Sequence, residues 1–283
     1  MQRIKDLKKY GLNTKNRTYI IAEIGINHGG DIKKAKALID SAAKTGVDAV
    51  KFQTYITEKR ISKDSQIFNI LKECELNFAA FKELKDYTRE YSLDFFSTPF
   101  DSESVEYLNS IGCNIYKIAS FDIVNHKLLN DVSKTKKAVI MSVGMANMNE
   151  VEQALIILKR GSDKIALLHC VSAYPLSEKN ADLSTIYTLQ DKFTDCAIGY
   201  SDHTDDIIMP LYAIAAGAQV VEKHFKINQD MKCVDGVISI TEAQAKKLVA
   251  ETRWLEKCFG NGQMGIRGAE KDTAVFRRFS EAE

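Results

Sequence analysis

Residues 196–225 read CAIGYSDHTDDIIMPLYAIAAGAQVVEKHF, and the alternation inside this stretch decides the fold. CAIGYS (196–201) and AQVVEKHF (218–225) are apolar runs too short for a helix and rich in β-branched or aromatic residues, as buried strands are. His203 and His224, two of five histidines in the chain, fall at their ends. The same short-run pattern recurs at YIIAEIG (19–25), DAVKFQ (48–53), LDFFSTPF (93–100), NIYKIAS (114–120), AVIMSVG (138–144) and KIALLHC (164–170). Between the runs lie segments with helical spacing. DIKKAKALIDSAAKTG (31–46), DSESVEYLNSIG (101–112) and NEVEQALIILKRG (149–161) open on Asp or Asn and close on Gly, as capped helices do. Strand and helix alternating eight times, with strands apolar enough to be buried on both faces, predict a parallel (β/α)8 TIM barrel of class α/β. A doubly wound open sheet is the alternative, but no GxGxxG or GKT loop follows the first strand to support its nucleotide-binding version. Residues 1–18 are expected to form an N-terminal extension, a hairpin closing the barrel bottom, with 19–258 the barrel and 259–283 a polar, glycine-containing tail.

Composition narrows the function classes. The 283 residues carry 39 Lys plus Arg against 38 Asp plus Glu, so no net field recruits nucleic acid or an anionic membrane, and any bound anion must be met by a local pocket. The opening MQRIKDLKKYGLNTKNR (1–17) has no apolar core of a signal sequence, and no run approaches the roughly 18 apolar residues of a membrane span. A cytoplasmic protein is the expectation. The six cysteines form no CxxC pair and are expected as reduced, mostly buried thiols.

In a barrel of this kind the chemistry gathers at the C-terminal ends of the strands. The polar residues there are Glu23, Lys51, Gln53, Ser97, Thr98, Lys117, Ser120, Ser142, His169, Ser201, Asp202, His203, Glu222 and His224. A single Ser or Thr at a strand end needs no function. Lys51 and Lys117 do need an explanation, because an unpaired ammonium in an apolar strand costs several kcal/mol. Either Glu23 and Glu222 neutralise them in a buried network, or a bound phosphate or carboxylate does so with help from Thr98, Ser120, Ser142 and Ser201. His203 and His224 end consecutive strands and so become neighbours on the rim. Two imidazoles, with Glu23 or a substrate oxygen completing the set, suit an open catalytic Mn²⁺ or Mg²⁺ site better than a closed zinc site.

IAEIGINHGGD (21–31), AVKFQTY (49–55), FSTPFD (96–101), YKIAS (116–120), SVGMA (142–146), LHCVSAYP (168–175), IGYSDHT (198–204) and VVEKHF (220–225) together resemble the sialic acid (N-acetylneuraminate) synthase family. Those enzymes condense phosphoenolpyruvate with an N-acetylated sugar aldehyde to make nonulosonic acids. The resemblance implies a (β/α)8 barrel with Mn²⁺ or Mg²⁺ on His203 and His224, and phosphoenolpyruvate held by Lys51, Thr98, Lys117, Ser120, Ser142 and Ser201. It matches Glu23, Gln53, Tyr174 and Asp235 to positions near the metal or the sugar. It also implies phosphate release with C–O cleavage, so that the 2-keto-3-deoxy sugar acid forms irreversibly without a Schiff base.

The departures from the family pattern all concern the sugar. Known members usually continue into a C-terminal antifreeze-like domain whose arginine reaches the partner's sugar in a dimer, whereas this sequence ends at Glu283. The loop after AVKFQTY is short, Ser172 stands where many members place asparagine, and CVDG (233–236) replaces the more usual GPDH. The phosphoenolpyruvate half is therefore expected intact and the acceptor half remodelled. A homo-oligomer is expected, with a separate protein as another source of the lid. Two other classes remain open: an aldolase or lyase with Lys117 as Schiff-base amine, and a non-catalytic barrel kept as a binding subunit.

Overall fold

In the computed structural model, which describes residues 6–14 and 16–278, eight parallel strands close on themselves in chain order. They are β1 (Tyr19–Gly25), β2 (Ala49–Thr54), β3 (Asp94–Pro99), β4 (Ile115–Ile118), β5 (Ala138–Ser142), β6 (Ile165–Cys170), β7 (Ala197–Asp202) and β8 (Val220–His224). All eight apolar runs read from the sequence are strands, and β8 pairs with β1, which excludes the open sheet.

The two-residue period of a strand sorts its side chains between two cores. Tyr19, Ile21, Ala49, Phe96, Ile115, Ala138, Ile140, Ala166, Leu168, Ala197 and Val220 point inward and fill the lower barrel. Their neighbours, among them Ile20, Ala22, Val50, Phe95, Tyr116, Val139, Leu167 and Ile198, point outward and pack under the helices. Continuing the inward parity brings Glu23, Lys51, Thr98, Lys117, Ser142, Ser201, Glu222 and His224 to the upper interior. Ser97, His169 and Asp202 are of outward parity. Ser97 bonds Thr54 (2.7 Å between hydroxyls), His169 Nε2 lies 2.7 Å from the Ala181 carbonyl, and Asp202 pairs with Lys223 at 2.6 Å.

The helices begin where their caps dictate. Asp31 caps Ile32–Ala43 and Asp101 caps Ser102–Ser110. The helix Met148–Leu158 starts earlier than NEVEQ suggested. Its N-cap is Asn147, in a reciprocal capping box with Glu150, because that pair satisfies two orphan donors at once. The described part of the N-terminal extension is a 3-10 turn, Leu7–Tyr10, where a hairpin was expected. Leu7, Tyr10 and Leu12 are buried in the lower barrel core and plug its bottom. Residues 259–278 hold two short 3-10 turns, and Met264, Val275 and Phe276 are exposed. Among the described residues no helix is long and apolar enough to cross a membrane. None of the six cysteines, all among the described residues, forms a disulfide, and Cys74, Cys113, Cys170 and Cys196 are buried.

Candidate active site

A cavity of ≈ 400 Å³ opens at the C-terminal ends of the strands, floored by Lys51, Lys117 and Glu222. Lys51 Nζ lies 3.2 Å from Glu23 Oε1, 3.4 Å from Glu222 Oε2 and 3.2 Å from Thr98 Oγ1. Lys117 Nζ donates to Ser142 Oγ at 2.6 Å and to the Ile118 carbonyl at 3.2 Å, and lies 3.7 Å from Glu222 Oε1. Ser201 donates to the same Glu222 oxygen at 3.1 Å. The carboxylate network that the sequence allowed is thus present, and all four charged groups are at most 4% exposed.

Their proton affinities diverge. Burial opposes the charge of Lys51, but Glu222 and Glu23 on either side outweigh it and raise its pKa. For Lys117 burial wins and the pKa falls, since Glu222 is farther off and Lys51 repels it. Glu222 is buried too, yet Lys117 and Lys51 hold it well below the usual carboxylate range. Burial dominates at Glu23, with only partial relief from Lys51 and added repulsion from Glu222, so its pKa rises. One Glu23 oxygen, Oε2, is buried without a hydrogen bond. Two carboxyls with opposite shifts in proton affinity thus lie on either side of Lys51.

His203 and His224 meet at the rim with ring centroids 5.6 Å apart. His203 Nδ1 lies 2.9 Å from the Val171 carbonyl, which fixes the proton there and leaves Nε2 as the free lone pair. Burial, then the neighbouring His224, lowers the His203 pKa to about 4, so its ring is neutral near pH 7. His224 Nδ1 is buried and unbonded, with Asp235 Oδ2 at 3.3 Å. Asp235 is held by its own backbone: its N–H donates to Asn27 Oδ1, and Asn27 Nδ2 donates to the Phe225 carbonyl and Ser239 Oγ. The Tyr174 ring lies 4.2 Å from the His203 ring, and half of the residue is exposed. Ser120 Oγ accepts from the Gly144 amide at 3.0 Å. Gly25 needs its left-handed φ of 54°, and a Cβ there would meet Glu23 Oε1 at 3.0 Å and Gln53 Nε2 at 3.2 Å.

Every residue singled out for catalysis or binding therefore lines one cavity. Arg60 and Cys170 line it too and were not anticipated. Arg60 ends the short helical turn Thr57–Arg60, where a basic residue has no apolar context to mark it, and Cys170 is of inward parity at the end of β6. Among the described residues no group of three His, Cys, Asp or Glu side chains converges as a preformed metal cage. Two adjacent imidazoles, an orphan Nδ1 and a carboxylate at 3.3 Å do fit an open, incompletely coordinated ion.

The fold and site define a class first: a (β/α)8 barrel enzyme with a buried two-lysine, two-glutamate floor below a histidine pair at the catalytic end. The chain belongs to the NeuB family, whose profile it matches over residues 38–264. At the family level it is a transferase-type enzyme, a phosphoenolpyruvate-dependent synthase of 2-keto-3-deoxy sugar acids. It is 40% identical over 281 residues to an uncharacterised protein of Methanocaldococcus jannaschii, covering 99% of this chain and 83% of that one. It is 37% identical over 280 residues to the N,N'-diacetyllegionaminic acid synthase of Campylobacter jejuni, covering 93% and 84%. The solved N-acetylneuraminic acid (sialic acid) synthetase of Leptospira borgpetersenii, in complex with citrate, matches with a TM-score of 0.89 and 40% identity. That match covers 93% of this chain and 92% of the other.

Proposed function

We propose that phosphoenolpyruvate lies on Lys51 and Lys117, with Thr98, Ser120, Ser142 and Ser201 as hydroxyl partners, and that a sugar aldehyde binds above it. The observation that carries this reading is the pair of buried ammonium groups, from β2 and β4, on one cavity floor among those hydroxyls. A phosphate there would share the lysines with Glu23 and Glu222. The aldehyde end lies by His203, His224 and Asp235, with Gln53 and Tyr174 on its flanks. When bound there, Mn²⁺ or Mg²⁺ would polarise the aldehyde carbonyl as a Lewis acid. C3 of phosphoenolpyruvate attacks the aldehyde carbon, leaving positive charge at C2 that the ionised Glu222 offsets. Water adds at C2, and Glu23, whose proton affinity burial raises, takes the proton as general base. The hemiketal phosphate then expels inorganic phosphate with C–O cleavage, its leaving charge met by Lys51 and Lys117.

Turnover of phosphoenolpyruvate with Mn²⁺ and a panel of hexoses, pentoses and N-acylated sugars, followed by released phosphate, tests this. Expected is phosphate release that depends on the aldose, with one 2-keto acid formed per phosphate. Release independent of any aldose would overturn the reading. One observation favours a second reading: the lowered pKa of Lys117 also suits a Schiff-base amine. Borohydride with pyruvate decides between them, since only the Schiff-base route leaves a covalent adduct on Lys117.

A further inference from the structure

Arg60 ends the short helical turn Thr57–Arg60 after β2, and its side chain turns into the cavity. Its guanidinium carbon lies 3.7 Å from the Phe100 ring centroid and 4.6 Å from that of Tyr55, two rings that meet edge to face. Nη1 donates to Gln53 Oε1 at 3.1 Å, and Gln53 Nε2 donates to Glu23 Oε1 at 3.2 Å. The rings and the amide fix the plane of the fork and use one of its five N–H donors. No described carboxylate pairs with Arg60 within 4 Å; Asp122, Asp235 and Glu23 act on it only at longer range. In this it differs from the cavity's two lysines, each of which has a glutamate within 4 Å. A preorganised fork with spare donors and no carboxylate of its own is built for an oxyanion.

Asp235 gives the direction. It lies 3.3 Å from His224, a Cβ at Gly25 would touch both Asp235 and Gln53, and Gln53 bonds Arg60, so an acceptor anchored by its aldehyde at the histidines runs past Asp235 and Gln53 toward Arg60. We propose that Arg60 is a specificity-determining residue that binds an oxyanion substituent on the acceptor aldehyde, distal to its carbonyl. The proposal rests on the reading of the cavity as an aldehyde-binding synthase site. Phosphate ester and carboxylate share the required chemistry, and an aldose, its terminal phosphate ester and its uronic acid distinguish them.

The test is calorimetric binding of these three compounds and, separately, of phosphoenolpyruvate to the full chain and to Arg60→Met and Arg60→Lys. Met keeps the stem that packs on Phe100, and Lys keeps the charge without the fork. The expected result is that at least one anionic form binds the wild-type chain roughly 30-fold or more tighter than the neutral aldose. That preference should vanish in Arg60→Met and return only partly in Arg60→Lys, with phosphoenolpyruvate affinity unchanged throughout. The better of the two anions names the substituent. Equal affinity for neutral and anionic forms in the wild type, or a preference that survives in Arg60→Met, overturns the assignment. If the anionic sugar binds through Arg60 while phosphoenolpyruvate does not bind at all, Arg60 stands and the synthase reading of the site falls.

Discussion

Lys51 and Lys117 carry the same functional group on the same cavity floor, yet their neighbours push their pKa values in opposite directions. Lys51 stands between two carboxylates, so Lys51→Ala leaves Glu23 and Glu222 facing each other in a dry site. Stability should fall by about 3–5 kcal/mol, as for any broken buried pair, whereas Lys117→Ala leaves Glu222 its other lysine and should cost less. Urea denaturation of both variants measures the difference, and equal losses would contradict the geometry. Phosphoenolpyruvate affinity should drop in both by about 2–5 kcal/mol, readable by calorimetry. His28 offers a separate test of burial. Its ring is 1% exposed, its Nδ1 accepts from the Gly30 amide and its Nε2 is unpartnered, and burial lowers its pKa to about 4. Because the folded pKa lies below the unfolded value near 6.5, the unfolded chain takes up the proton first as pH falls. Stability from this group is thus complete above about pH 6.5 and declines toward pH 4, by about 2 kcal/mol at pH 5. Denaturation midpoints of wild type and His28→Asn at pH 7 and pH 5 check the sign: the variant should lose less between the two.

At the level of elements, parity does most of the positioning. A strand buried on both faces needs apolar residues at every place except where its inward side reaches the catalytic end, and that is where Lys51, Lys117 and Glu222 interrupt the runs. This is why those residues were legible as a site before any coordinates. Ser97, His169 and Asp202 were equally visible at strand ends, but they sit one residue out of phase and serve the layer between sheet and helices. The bottom of the barrel is closed by a 3-10 turn from outside the βα repeat. Leu7 is fully buried there, so Leu7→Ala should cost about 2–5 kcal/mol in unfolding free energy while leaving phosphate-release kinetics unchanged, since the site is at the opposite end. A change in kcat accompanying that loss would show that the plug couples to the site.

For the whole molecule, the site exists only because closure brings β8 back beside β1. Glu23 and His224 are Cα partners across that seam. If His203 and His224 hold a catalytic ion, a chelator should abolish phosphate release, Mn²⁺ or Mg²⁺ should restore it, and His203→Ala or His224→Ala should remove turnover with little change in melting temperature. Full activity in chelator would remove the metal assignment. If the acceptor half is remodelled, as the loop after AVKFQTY and Ser172 lead one to expect, N-acetylmannosamine should be a poor acceptor, because the segment after β2 brings Arg60 into the cavity. Efficient turnover of that sugar would show that Ser172 and the short loop do not set acceptor choice.

The sequence alone determined the strands, their order and most of the polar groups at their catalytic ends, because a two-sided burial requirement writes itself into short apolar runs and makes each embedded charge conspicuous. It could not determine which charges share a neighbour. The opposite pKa shifts of the two lysines, the raised pKa of Glu23, the Asn27 brace on Asp235 and the inward turn of Arg60 arise from distances between residues far apart in the chain. Electrostatic energy depends on those distances and on the removal of water, and both are set only when the barrel closes.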